Sequence, residues 1–184
     1  MQLKEGVRIL ALNGAPIDRK SGSELVVGIV GRKDRIEGSI SFTVDVDGNN
    51  ATDALLKAVK ASRFSGQIRI VALNGVVLGG LNILDLRKIS SSLGVGAVAI
   101  TRKRPRISLL RKALSKDPER TRKTAVLEGM HKEIRIWRMT GLYVQSLGVE
   151  KAYLERRIGE IAGLVRIAHL IASGIGHGES RGRI

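Results

Sequence analysis

Two asparagines follow nearly identical apolar segments, VRILALNG at residues 7–14 and IRIVALNG at residues 68–75, which share six of their eight positions. An apolar run that stops at Asn-Gly is common at the end of a buried strand, because both residues tolerate positive φ. If the two strands are parallel neighbours, Asn13 and Asn74 meet at the carboxyl edge of one sheet, where open α/β sheets bind their ligands. The repeat therefore predicts a paired site at that edge.

In a phosphoryl-transfer site with this geometry, the paired side chains are carboxylates. They hold hard divalent ions roughly 3.5–4 Å apart, and those ions activate water and stabilise the leaving oxygen. An amide offers one neutral carbonyl oxygen instead of an anion, whereas protein-bound Mg²⁺ usually relies on one or two carboxylates. Asn13 and Asn74 therefore have the position of metal ligands without the charge.

The hydrophobic pattern predicts which elements position these residues. Three strands joined by modest loops indicate an antiparallel meander. Strands and helices then alternate, so crossover connections make the later strands parallel to the first. The predicted strands cover residues 7–12, 24–32, 37–46, 68–73 and 95–101, with helices over 51–62 and 81–93.

Helices are predicted for most of the remaining chain, over 105–115, 118–132, 149–162 and 164–173, with a short extra strand at 142–147. If the first strand is central, the order is that of a ribonuclease H-like fold. We thus expect an α/β protein with a mixed five-stranded sheet flanked by helices. Its strands 1–3 form the meander, strands 1, 4 and 5 are parallel, and residues 1–184 form a single domain.

The charge of the chain points to a polyanionic partner. Lys and Arg number 32 against 17 Asp and Glu, for a formal net charge of +15. Residues 102–138 alone hold thirteen Lys and Arg and four acids. Nucleic acid, DNA or RNA, is the simplest partner for such a segment, and a basic solvated surface is the alternative. Aromatic residues make up only 3% of the chain, so binding to nucleic acid should be mainly electrostatic and should weaken as the salt concentration rises.

Other classes are disfavoured by composition. The chain has no cysteine, which excludes disulfides and thiolate metal sites and fits a reducing compartment. No segment approaches the roughly 20 apolar residues that span a bilayer, and the N-terminus lacks the pattern of a signal peptide. We therefore expect a soluble cytoplasmic protein with no membrane partner. The sequence does not indicate its oligomeric state.

Several longer segments resemble a family of archaeal proteins related to endonuclease V, called domain of unknown function ninety-nine. The resemblance covers most of the chain and is strongest in its long central and C-terminal blocks. The matching segments are VRILALNGAP (7–16), VDGNNAT (46–52), SRFSGQIRIVALNGVVLGGLNILD (62–85), VAITRKRP (98–105), LYVQSLGVEKA (142–152) and RIAHLIASGIGHGESRGR (166–183). The resemblance implies a ribonuclease H-like fold and a relation to metal-dependent nucleases that cut near deaminated purines.

The resemblance also implies site residues. The related nucleases have Asp at the positions of Asn13 and Asn74, and a third acid near the end of the third strand. Asp45 and Asp47 are the nearest candidates for that acid and for a Mg²⁺ or Mn²⁺ site, and Asp85 matches a further family position. Lys103 resembles a lysine of the endonuclease V pattern. The candidate nucleic-acid contacts are Lys103, Arg104, Arg106, Arg111 and Lys112.

Three functions remain open from the sequence. The first is a weak or specialised metal-dependent nuclease that uses Asp47, Asp45 or Asp85 together with Asn13 and Asn74. The second, slightly favoured by the two amides, is a nuclease fold that binds nucleic acid without cutting it. The third is a non-catalytic basic scaffold that acts through a protein partner. Whether the basic residues of 102–138 form one face beside the strand ends discriminates among them.

Overall fold

The chain forms an α/β structure in which strands and helices follow the predicted order. The computed structural model describes residues 6–17, 20–33 and 35–180. Within them the strands are β1 (Arg8–Gly14), β2 (Ser23–Arg32), β3 (Arg35–Asp45), β4 (Ile68–Asn74), β5 (Val77–Leu78), β6 (Asn82–Ile83), β7 (Gly96–Thr101), β8 (Arg135–Met139) and β9 (Leu142–Leu147). The helices are α1 (Ala51–Ala61), α2 (Leu86–Leu93), α3 (Ile107–Ala113), α4 (Arg120–Glu133) and α5 (Lys151–His177).

In the part of the chain that the structure describes, the main sheet has seven strands in the order β3-β2-β1-β4-β7-β9-β8. Strands β1, β2 and β3 form the predicted antiparallel meander, and β1, β4 and β7 are parallel neighbours, as expected. The predicted count of five strands is wrong, because β9 and β8 extend the sheet in antiparallel fashion beyond β7. Strand β8 is an edge strand with mostly exposed side chains, so its sequence has no apolar run that would reveal it.

Two predicted helices differ from the structure. The helix expected over 81–93 begins only at Leu86, because residues 77–83 form the small β5–β6 ribbon and Asp85 caps α2. The helices expected over 149–162 and 164–173 are one helix, α5, that continues through Gly163. A glycine inside a helix costs about 1 kcal/mol, and the buried side chains on both sides of Gly163 override that preference.

The core lies on both faces of the sheet, because alternate side chains of each strand point to opposite faces. One face packs against α1, α2 and α4 through residues such as Leu10, Leu12 and Leu73. The other face carries Ala11 and Ala72 and packs against the buried side of α5. We call this second side the α5 face.

Helix α5 is 27 residues long and contains an 18-residue stretch apolar enough that length and composition alone would allow the helix to cross a membrane. The expectation that no segment approaches that length is therefore corrected. This is weak evidence for a membrane span, since a core helix meets the same criterion. Here its buried side chains, including Ile161, Val165 and Ala168, pack against the strands of the α5 face.

Candidate nucleic-acid interface

The two asparagines of the repeat lie near the ends of neighbouring parallel strands. Leu12 of β1 lies opposite Leu73 of β4, so the next residues are neighbours: Asn13 is one residue before the end of β1, and Asn74 is the last residue of β4. Both belong to the α5 face, because Ala11 and Ala72 pack there and side chains alternate along a strand. The chain thus brings these two predicted site residues together at the carboxyl edge of the sheet.

Their environments differ. The Asn13 side chain is 7% exposed, and its Nδ2 is buried without a hydrogen-bond acceptor among the described residues. Asn74 is exposed and lines a pocket of about 490 Å³. The pair therefore consists of one buried amide with an unused donor and one amide that faces open space.

The pocket beside Asn74, which we call the edge pocket, is lined by three separate parts of the chain. These are Ile100, Thr101, Arg102 and Lys103 at the end of β7, Leu142 of β9, and Ala162, Gly163 and Arg166 of α5. Three cationic side chains and no carboxylate are among these lining residues. Because positive charges are concentrated at the pocket, it attracts anions.

Local hydrogen bonds fix the walls of the edge pocket. The Gly75 N–H donates to the Ile100 carbonyl at 3.0 Å, which ties the end of β4 to β7. Gly75 has φ +77°, a left-handed conformation that favours glycine, so the Asn-Gly pair turns the chain away directly after Asn74. The Thr101 hydroxyl donates to the Lys103 carbonyl at 2.7 Å and closes the turn that presents Arg102 and Lys103.

Asp47 holds a glycine-rich loop in place. It has φ +54°, and its N–H donates to the Gly79 carbonyl at 2.6 Å. Its Oδ1 accepts from the Leu81 N–H at 2.9 Å, and its carbonyl accepts from Lys123 Nζ at 2.7 Å. Neighbouring Asp45 is exposed and contributes its backbone, with its carbonyl accepting from Asn82 Nδ2 at 3.0 Å. These contacts give Asp47 and Asp45 positions in the loop scaffold.

Asp85 is the N-cap of α2. Its Oδ1 accepts from the backbone N–H groups of Arg87 and Lys88, at 2.9 and 3.4 Å, and its Oδ2 pairs with the Arg87 guanidinium at 3.1 Å. An N-cap carboxylate satisfies the first free N–H groups of a helix, and α2 is one of the helices that cover the sheet. Asp85 therefore has a structural role that its sequence position alone does not show.

The carboxylates do not fit the two-metal arrangement that the resemblance implies. Within the residues that the structure describes, no three His, Cys, Asp or Glu side chains are grouped so that they could hold a metal ion. At the edge pocket the positions nearest the strand ends are amides, and the charged side chains are cations. The donor set there suits an anion better than Mg²⁺ or Mn²⁺.

Glu24 is a buried acid that the sequence reasoning missed. It lies on β2, 6% exposed, on the face opposite α5, and its Oε2 accepts from the Gly79 N–H. Burial raises the pKa of Glu24 above 4.5, and the hydrogen bond from Gly79 lowers it only in part. Its carboxylate occupies the space where a side chain at position 14 would begin, so any residue other than glycine there would displace the carboxylate from its place beside Gly79. A lone acid in the apolar segment ELVVGIVG was the available signal.

The predicted basic contacts are dispersed. Lys103 lines the edge pocket, whereas Arg104 lines a second groove of about 150 Å³ between α3, α4 and the β8–β9 hairpin. Arg106 precedes α3, Arg111 forms an ion pair with Glu128, and Lys112 is exposed. The sequence reasoning did not select Arg102 or Arg166 for the site, because only the fold brings β7 and α5 together.

One member of the basic segment is not on the surface. Lys123 of α4 is 2% exposed and pairs at 2.6 Å with Asp117, which is 4% exposed. Residues 102–138 therefore present one cation and one acid fewer at the surface than their composition indicates, and their excess of cations is unchanged.

Comparison with known proteins establishes the family. A family model described as endonuclease dU matches residues 5–176, and the chain belongs to this family. A UPF0215 protein of Methanothermobacter thermautotrophicus is 31% identical over 98% of this chain and 93% of its own length. Another UPF0215 protein, from Archaeoglobus fulgidus, is 32% identical over 96% of this chain and 97% of its own length. The expected membership of an archaeal family related to endonuclease V is thereby confirmed.

Solved structures agree with this placement. A crystal structure titled as a protein of unknown function from Archaeoglobus fulgidus matches with a TM-score of 0.84 at 28% identity, covering 94% of this chain and 99% of that one. The crystal structure of human endonuclease V matches with a TM-score of 0.52 at 10% identity, covering 91% and 83%. At that identity the second match shows a shared fold.

Proposed function

We propose that the chain binds nucleic acid at the carboxyl edge of its sheet, with the sugar-phosphate backbone held at the edge pocket. The observation that carries the proposal is the convergence of Arg102, Lys103 and Arg166 around one pocket beside the paired strand ends. Two of these cations come from the end of β7 and the third from α5, some sixty residues later in the chain. The net charge of +15 adds long-range attraction for a polyanion.

The fold supports this assignment by analogy. The strand order β3-β2-β1-β4-β7, with an antiparallel meander followed by parallel strands, is the order expected of a ribonuclease H-like sheet, and we propose that class. The family is described as endonuclease dU, and human endonuclease V shares the fold. DNA that contains deoxyuridine is therefore the first substrate to test. We also propose a cytoplasmic protein that is not membrane-bound.

We propose in addition that metal-dependent cleavage is weak or lost. An efficient two-metal nuclease needs carboxylates that share the ions, and the paired strand ends here carry Asn13 and Asn74. Asp47 and Asp85 already accept hydrogen bonds from backbone N–H groups of the scaffold. Any residual Mg²⁺- or Mn²⁺-dependent cleavage would depend on Asp47, Asp45 or Asp85.

Binding is tested by fluorescence anisotropy with labelled DNA and RNA over a range of salt concentrations. We expect the affinity to fall steeply with salt, and Arg102→Ala, Lys103→Ala and Arg166→Ala each to reduce the salt slope by about one for every phosphate that the variant no longer neutralises. Lys57→Ala is the matched control, because Lys57 is an exposed cation on α1 at the opposite face. An affinity that does not change with salt concentration would contradict the proposal and favour the protein-partner alternative. So would an Arg166→Ala variant whose affinity and salt dependence equal those of the wild type.

Cleavage is tested with labelled plain, deoxyuridine-containing and inosine-containing DNA and RNA in Mn²⁺. The protein is checked by intact mass, because Asn is chemically labile and a deamidated residue would be an acid. We expect little or no cleavage. Robust cleavage that Asp47→Ala abolishes would establish the nuclease function, and robust cleavage that survives Asp47→Ala would place the catalytic site elsewhere.

A further inference from the structure

A buried amide with an unused donor lies beside the edge pocket. Asn13 is 7% exposed and its Nδ2 has no acceptor among the described residues. Buried amide N–H groups are nearly always hydrogen-bonded, since leaving one unpaired is destabilising. The register sets Asn13 next to Asn74, which lines the pocket. The edge of the sheet beside the pocket therefore holds an amide donor that the described residues leave unused.

The polar groups of the edge pocket are mainly hydrogen-bond donors. Arg102, Arg166 and Lys103 can donate but cannot accept, and the Asn74 amide carries two N–H donors beside its oxygen. A guanidinium matches two oxygens of a phosphate at once, and a lysine ammonium adds a point charge. A divalent cation in the same space would instead face three positive side chains, which repel it.

We infer that the edge pocket binds a phosphate group of the nucleic acid directly, without a bridging divalent cation. This inference rests on the proposed function and specifies its chemistry. Asn74, Arg102, Lys103 and Arg166, which line the pocket, hold the phosphate oxygens. The Asn74 amide is then a functional donor, suited to an anion at a place where a carboxylate would select a cation.

The test compares DNA affinity in EDTA and in Mg²⁺ at matched ionic strength. The probe is a fluorescein-labelled oligodeoxynucleotide, and the variant is Asn74→Asp, which changes an exposed side chain and should not disturb folding. Gln67→Glu is the control, because it makes the same amide-to-carboxylate change at an exposed position before the other end of β4.

We expect the wild-type protein to bind equally well in the two buffers. In EDTA, Asn74→Asp should bind at least about tenfold more weakly, which is the effect of losing one charge-assisted hydrogen bond. Mg²⁺ should restore part of the loss, since a cation can bridge the new carboxylate and the phosphate. Gln67→Glu should stay within about twofold of the wild-type affinity, a range smaller than one such bond.

Two results overturn the inference while leaving the proposed function intact. They are wild-type binding that disappears in EDTA, and an Asn74→Asp affinity in EDTA that equals the wild type. Wild-type protein that binds DNA in neither buffer at low salt would refute the proposed function itself, and the inference with it. As a second readout, inorganic phosphate added to ¹⁵N-labelled protein should shift the side-chain amide signals of Asn74, and unmoved signals would count against the inference.

Discussion

The buried ion pair between Lys123 and Asp117 gives the sharpest stability prediction. Lys123 is 2% exposed and Asp117 4% exposed, and their charged atoms lie 2.6 Å apart. Lys123 Nζ also donates to the Asp47 carbonyl at 2.7 Å, so one ammonium joins α4 to the turn that holds the glycine-rich loop. Lys123→Met keeps most of the side-chain volume while it removes the charge and both hydrogen bonds.

The expected loss in the free energy of unfolding follows from the Asp117 carboxylate, which remains buried in the Lys123→Met variant. Without Lys123, the Asp117 carboxylate keeps the hydrogen bond from the Glu119 N–H but has no counter-ion among the described residues. Breaking a buried pair in this way costs about 3–5 kcal/mol, mostly because one charge is left uncompensated. The double variant Lys123→Met/Asp117→Asn buries no charge and should recover most of that loss.

The assay is urea unfolding of the wild type, the two single variants and the double variant, analysed as a double-mutant cycle. Under conditions where Lys123→Met is folded, its DNA affinity should change less than about twofold, because its ammonium lies away from solvent and contacts no phosphate. A loss below about 1 kcal/mol, as for a surface pair, would refute the burial argument. A large loss of DNA affinity in the folded variant would show that Lys123 belongs to the interface.

Three further predictions concern groups near the strand ends. Burial raises the pKa of Glu24, so the protein's free energy of unfolding falls as pH rises from about 4.5 through the raised pKa, where the native state retains a proton that the unfolded state has released. Glu24→Gln should flatten that part of the stability profile in pH-dependent urea unfolding, and an unchanged profile would contradict this. Gly14→Ala should lower the free energy of unfolding by about 1–3 kcal/mol, because its Cβ would overlap the Glu24 carboxylate. If the variant unfolds at the same temperature as the wild type, there is no such clash. Asn82→Ala should cost at least about 2 kcal/mol in urea unfolding, since Asn82 is fully buried and bonds to Ala51, Asn50 and Asp45; a smaller loss would mean that water replaces those bonds.

Local sequence was enough to predict the centre of the sheet. The crossover connection, with the first strand at the centre, predicted that β1 and β4 are parallel neighbours and that their ALNG ends lie side by side, and the structure confirms the parallel pairing. The change from strand to helical periodicity after residue 50 gave the crossover helix α1 at nearly its observed bounds. These features depend on short-range hydrophobic patterns, which a single sequence shows directly.

The missed features depend on contacts between distant segments. Arg166 reaches the edge pocket only because the fold places α5 on the same pocket as the end of β7 and Leu142 of β9, and no local pattern indicates that arrangement. Lys123 looks like any other cation of the basic segment until the fold buries it against Asp117. The structural roles of Asp47 and Asp85 likewise depend on backbone N–H groups that the loop and helix present only after folding.

The proposed interface is tested most directly by photo-crosslinking of the intact protein to bromodeoxyuridine-containing DNA, with the crosslinked peptides mapped by mass spectrometry. We propose that the nucleic-acid backbone lies at the edge pocket, so crosslinks are expected on residues 100–103 at the end of β7 and on residues 162–166 of α5. Crosslinks confined to α3 and α4, residues 107–133, would contradict the proposal and would place the nucleic acid on the basic helices instead.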